Sequence, residues 1–116
     1  MERYSHNKLI RDRIPEIIEA NGDKCEVRVM EEGEFERELR RKVAEEASEL
    51  MDTPKEGLVN EMADVLELLK AIADFYGIDF KQVEQEQVEK KEKRGGFEKR
   101  LFLVWSSKPN SSCKPR

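Results

Sequence analysis

The sequence predicts a mainly α protein: an antiparallel helical bundle completed by a second subunit, with a small two-stranded β element. Three observations carry this. Two long stretches place apolar residues three and four apart, Phe35, Leu39, Val43, Ala47 and Leu50 in one, Leu58, Val65, Leu68, Leu69, Ile72 and Phe75 in the other. The pair Thr53-Pro54 separates them so tightly that they must fold back as a hairpin. Composition agrees: charged residues make up 41% of the 116, the hydrophobic class 37% and aromatics 7%. That balance suits long amphipathic helices and borders on too little core for a self-sufficient monomer.

In chain order, residues 1–12 are polar and basic, with Lys8, Arg11 and Arg13 clustered around Leu9 and Ile10. The sole histidine, His6, reads as solvated. Ile14-Pro15 opens a short helix with a buried stripe of Ile14, Ile17 and Ile18, and Asn21-Gly22 stops it. Residues 25–29 alternate apolar and polar, which predicts a strand. Gly33 is placed to cap the next helix, with Glu32, Glu34 and Glu36 favourable to its positive end. Thr53-Pro54-Lys55-Glu56 reads as a capping box with proline at the first helical position, so the second long helix follows at once. That helix is apolar around most of its circumference over residues 58–75, more than one short helix and one amphipathic partner can cover. This is the ground for expecting a dimer, with Met62, Leu66 and Ala73 at a subunit contact or under the short helix. Tyr76-Gly77 ends it. Asp79 caps a third, mostly polar helix, Gly95-Gly96 terminates that one, and residues 100–105 predict a second strand. One domain, 1–105, is expected, followed by a disordered tail, 106–116.

The chemistry lies in the acids of the two long helices. At about 100° per residue, positions three apart share a face. Glu46 and Glu49 can therefore converge, as can Glu61 and Asp64. Glu46 projects inside the first apolar arc with Glu49 on its border; Glu61 and Asp64 project inside the second. Glu45, Glu67 and Asp74 point away, where acids normally go. An unpaired buried carboxylate takes up a proton or finds a cation. The plainer alternative, that such acids pair with Arg or Lys or edge the core, suits one pair better than two on adjacent helices. All-oxygen ligands without His or Cys point to a hard ion, Mg²⁺ or Mn²⁺, not zinc.

A net charge of −4 argues against a duplex nucleic-acid binder. Cys25 and Cys113 lack metal spacing and fit a reducing cytoplasm. No apolar run near 18 residues suggests a membrane span. If the acids hold divalent ions, the substrate is anionic, and phosphate esters and nucleotides fit best. Cations should then face the acids: Lys8, Arg11 and Arg13 from the start of the chain, Lys91, Lys93, Arg94 and Arg100 from near its end. The glycines of Lys93-Arg94-Gly95-Gly96-Phe97 would let backbone N–H groups approach a phosphate, although Gly-Gly after a helix is equally a plain cap.

Glu45-Glu46-x-x-Glu49 followed by Glu61-x-x-Asp64 resembles the signature of the MazG-like all-α nucleotide pyrophosphohydrolases. The opening Asn7-Lys8-Leu9-Ile10-Arg11-Asp12-Arg13-Ile14-Pro15-Glu16-Ile17-Ile18 and the closing Lys93-Arg94-Gly95-Gly96-Phe97 resemble its phosphoribosyl-ATP pyrophosphohydrolase-like branch. The likeness runs over residues 4–104. It implies hydrolysis of a nucleoside triphosphate between its α- and β-phosphates, giving a monophosphate and pyrophosphate. It also implies Mg²⁺ on Glu46, Glu49, Glu61 and Asp64, Glu45 as a base or further ligand, and a homodimer or dimer of dimers. Non-standard nucleotides are one expected substrate class, and phosphoribosyl-ATP of histidine biosynthesis is the alternative. A non-catalytic nucleotide-binding or regulatory helical dimer is the second reading. A di-iron oxidation site is set aside, since that chemistry uses Glu-x-x-His pairs and no histidine follows these acids.

Overall fold

A computed structural model describes residues 2–109. The described chain is mainly helical, with α1 Ile14–Ala20, α2 Glu32–Asp52, α3 Leu58–Tyr76 and α4 Phe80–Arg94. It divides into two compact units, Met1–Phe80 and Lys81–Arg116.

The first unit is organised on the α2–α3 hairpin. The helices run antiparallel: Phe35, near the start of α2, meets Phe75 at the end of α3, edge to face with ring centroids 5.6 Å apart. Beside it the Tyr76 hydroxyl donates to Glu36 and accepts from Arg40 at 3.0 Å. The Arg40 guanidinium also lies 5.7 Å from the centre of the Tyr76 ring. At the other end Glu46 of α2 faces Glu61 and Asp64 of α3. The dry core between them is small. Among the described apolar residues only Leu39 (2% exposed) and Ala73 (4%) are fully buried.

Local chemistry explains the boundaries. Gly77 takes a left-handed φ of 68° at the end of α3, so the Ile78 N–H reaches back to the Ala73 carbonyl at 2.8 Å. That is the six-to-one hydrogen bond that closes an orphaned last turn. α1 ends the same way: Gly22 has φ 84° and the Asp23 N–H donates to the Ile18 carbonyl at 3.1 Å.

Several expectations need correction. The capping box does not form: the Thr53 hydroxyl donates back to the Glu49 carbonyl at 2.6 Å, ending α2 instead of starting α3. A single turn of 3₁₀ helix, Lys55–Gly57, then leads into α3. Glu31 is the residue before α2, so Gly33 lies within the first turn instead of capping it. On α2 Glu34, Phe35, Glu36, Glu38, Lys42, Val43, Glu46 and Leu50 are half-buried and Leu39 is buried, while Ala47 is exposed. The seam runs through the acid and not the alanine, because three-and-four spacing from Leu39 reaches residues 42, 43, 46 and 50. In α1 Ile14 and Ile18 are half-buried, whereas Ile17 is 51% exposed. Ala73 projects on the same stripe of α3 as Met62 and Leu66, as expected, but it is only 4% exposed within its own chain and so is not open to a subunit contact.

The two-stranded element is also corrected. No strand occurs among the described residues, and both segments are irregular. Val29 is 97% exposed and Phe102 89%. Alternation fits a half-buried sheet surface, but two short segments alone make a marginal sheet. The Arg28 guanidinium instead clamps Glu34 in α2 with two donors at 2.8 Å, fixing the segment by charge. Of the expected tail, residues 110–116 lie outside the described residues.

Leu39→Ala should lower stability by about 2–5 kcal/mol, the range for truncating a buried leucine. Gly77→Ala should cost about 1 kcal/mol or more, because alanine resists the left-handed conformation. Chemical denaturation of each variant measures both.

Candidate metal centre

The first unit's acid cluster stands at the hairpin's turn end. The stretch 46–49 lies one turn before α2 closes, and Glu61 lies in the first turn of α3, so the Thr53–Gly57 connection brings the two helices' acids together. Glu46, Glu61 and Asp64, all half-buried, offer oxygens that lie within 4.8 Å of one another. Glu49 is exposed and stands outside this triad, yet close enough to Glu46 to act on it. Glu45 is exposed too and projects away, as its position on the helix predicts.

Glu61 Oε2 is buried and accepts no hydrogen bond among the described residues. A carboxylate oxygen withdrawn from water without a donor costs free energy and calls for a cation or a proton. Glu46 takes the strain in its ionisation. Burial pushes its carboxyl above the ordinary carboxylate range, and the neighbouring Glu49 and Glu61 push it further, with Lys42 opposing.

Two cations already touch the cluster. Arg11 donates from a terminal nitrogen to Asp64 Oδ1 at 2.8 Å. Lys42 Nζ lies 3.9 Å from Glu46 and 3.8 Å from Glu45. Four acids (Glu46, Glu49, Glu61, Asp64) against Arg11 and Lys42 leave a formal charge of −2 when all are ionised. A divalent ion would cancel that charge. The donors are all carboxylate oxygens, the set that suits Mg²⁺, Ca²⁺ or Mn²⁺.

Of the other candidate cations, Arg13, just before α1, pairs with Glu16 in that helix's first turn at 3.0 Å, and Lys8 is exposed. Lys91, Lys93 and Arg94 form the exposed last turn of α4, and Arg100 has a positive φ of 57° just beyond it. All four belong to the second unit, the acids to the first. Lys42 was missed by the sequence reading. Its signal was available, because it stands four residues before Glu46 and so on the same face.

Because the Glu46 carboxyl is raised, the folded state binds its proton more tightly than the unfolded state does. This group's contribution to stability therefore falls as pH rises from the unfolded carboxylate value through the raised one. Glu46→Gln should hold or raise the melting temperature at pH 7 in the absence of divalent ions, and lose that advantage near pH 4. Thermal melts at the two pH values check this. No protein-family model, curated protein or solved structure matches the chain, so the likeness described from its sequence rests on these residues themselves.

Proposed function

We propose that this chain is a Mg²⁺- or Mn²⁺-dependent nucleoside triphosphate pyrophosphohydrolase of the MazG-like kind. The observation that carries the reading is the triad of Glu46, Glu61 and Asp64 with its orphaned Glu61 oxygen. Three acids from two helices, placed in an apolar seam, are hard to account for as packing and easy to account for as a cation site. Glu46, Glu61 and Asp64 would hold the ion, with Glu49 adding charge beside them. When bound, the ion supplies neutralisation of the polyphosphate and acidification of water. The chain's own residues do the rest. Glu49, an exposed carboxylate beside Glu46, is the proposed acceptor of a proton from the attacking water, and Glu45 is the base that the resemblance implies. As the water oxygen bonds to phosphorus, the bridging bond between the α- and β-phosphates breaks, and pyrophosphate leaves with the electron pair. The cations Lys8, Arg11, Arg13, Lys91, Lys93, Arg94 and Arg100 are the proposed phosphate contacts.

The same reading includes a homo-oligomer. Val59, Met62, Leu66 and Leu69 are all at least 40% exposed on one stripe of α3. Their spacing of three, four and three residues is that of a helix–helix seam. With Leu50 they line an apolar groove of about 490 Å³. No helix among the described residues is long and apolar enough to cross a membrane. The groove's natural occupant is a second copy, as a homodimer or a dimer of dimers in the cytoplasm.

Release of pyrophosphate from a nucleotide panel that includes phosphoribosyl-ATP, with and without Mg²⁺, tests the activity. In Glu61→Gln turnover should collapse while the fold holds or gains stability, since a buried charge is relieved. Full turnover by folded Glu61→Gln would end the metal-site assignment. Binding of nucleotide with no turnover would favour the regulatory dimer. Replacing Lys93 and Arg94 together by Ala should raise KM or lower kcat and leave stability nearly unchanged; unaltered kinetics would leave Lys8, Arg11 and Arg13 as the phosphate contacts. By light scattering at micromolar concentration the wild type should be a dimer or larger. Leu66→Glu should shift it toward monomer, and a monomeric wild type would overturn the assembly.

A further inference from the structure

We propose that Arg11 is a resident counter-cation of the acid cluster, one that yields Asp64 to an arriving divalent ion and turns its guanidinium to the substrate's phosphates. This rests on the metal-dependent reading above and adds an exchange step to it.

Asp64 is the point of conflict. It belongs to the triad whose oxygens lie within 4.8 Å, and it also accepts from Arg11 at 2.8 Å. A full positive charge so close to Asp64 repels a metal entering the same group of oxygens. The two cations at the cluster differ in how firmly they are held. Lys42 rises from α2 itself, 23% exposed, fixed by helical spacing beneath Glu45 and Glu46. Arg11 comes from outside any helix. Its side chain is 60% exposed, and Asp64 is 34% exposed. An ion pair that open to water is weak and readily exchanged.

Release does not carry Arg11 far. Leu9 and Ile10 immediately before it are half-buried, and its carbonyl accepts from the Ile14 N–H at 3.2 Å as α1 begins. The backbone therefore stays in place while the side chain turns. The freed guanidinium presents a planar fork of donors matched to phosphate oxygens, at the edge of the site where a polyphosphate would meet the metal. Before loading, the same residue partly neutralises the acids and eases their mutual repulsion.

The test is Mn²⁺ binding to the full chain, followed by electron paramagnetic resonance of the free ion. Arg11→Gln should bind Mn²⁺ about three- to fivefold more tightly than wild type, the effect of removing one exposed competing charge. Arg11→Lys, which keeps the charge, should bind like wild type. Inorganic pyrophosphate should bind Mn²⁺-loaded Arg11→Gln at least threefold more weakly than loaded wild type. Equal or weaker Mn²⁺ affinity in Arg11→Gln overturns the exchange while leaving the metal reading intact. Saturable Mn²⁺ binding by neither protein overturns both. Unchanged pyrophosphate affinity overturns the turn toward phosphate. A readout in unmodified protein guards against a variant that fails to fold: side-chain ¹⁵N spectra should show Arg11 losing its ion-paired signal as Mg²⁺ is added, and a signal that does not move overturns the proposal.

Discussion

One seam between α2 and α3 has to hold both hydrocarbon and negative charge, and the rest of the first unit depends on how it does so. Toward the open end of the hairpin Phe35 and Phe75 meet edge to face and Leu39 is buried, closing the seam in the ordinary way. Toward the turn Glu46, Glu61 and Asp64 occupy the same stripe. Burial there raises the Glu46 carboxyl, and like charge from Glu49 and Glu61 raises it further. Such a site is intrinsically unfavourable without a cation. Its persistence within a folded hairpin depends on Lys42 and Arg11 and on the hydrophobic contacts at the other end.

The two ends of the hairpin are thus complementary. The aromatic end carries the Tyr76–Glu36–Arg40 cluster, which ties the end of α3 to the start of α2, and the αL closure at Gly77, which finishes the last turn of α3. The acid end lies against the short Thr53–Gly57 connection, where the Thr53 hydroxyl ties the chain back to Glu49's carbonyl. Rigidity at both ends holds the carboxylates at fixed separations although they repel. Preorganised negative charge of this kind favours a cation more than the same acids on a flexible loop would, because the repulsion is already present before binding.

Much of this was legible in the sequence. Spacing alone placed Glu46 in the apolar arc and Glu45 outside it, because helical periodicity is a strong signal over two long stretches. It also paired Glu61 with Asp64. Three things were not legible. Thr53 fits either helix end by composition, and only the geometry of the turn sends its hydroxyl backward. The alternation at 25–29 and the apolar run at 101–105 look like strands, but strand formation needs a partner that local sequence does not specify. The pairing of Arg11 with Asp64 spans 53 positions, and no local rule anticipates a contact at that separation. The acids were found by period, whereas their counter-ions needed the fold.

The hairpin's connection has a consequence for how such a chain tolerates length change. Helical residues advance by about 100° each, so one residue inserted between Thr53 and Lys55, past the end of α2, leaves the acids of α2 on their face and alters only the turn. One residue inserted between Leu39 and Glu46 swings the carboxylates a quarter-turn or more off the seam, while every hydrophobic residue before it stays put. Insertions of equal size thus differ sharply in effect: the turn absorbs them as slack, and the middle of α2 converts them into a loss of the cation site. A chain built this way is permissive in its loop and intolerant of any frame slip between its oil-filled half and its charged half.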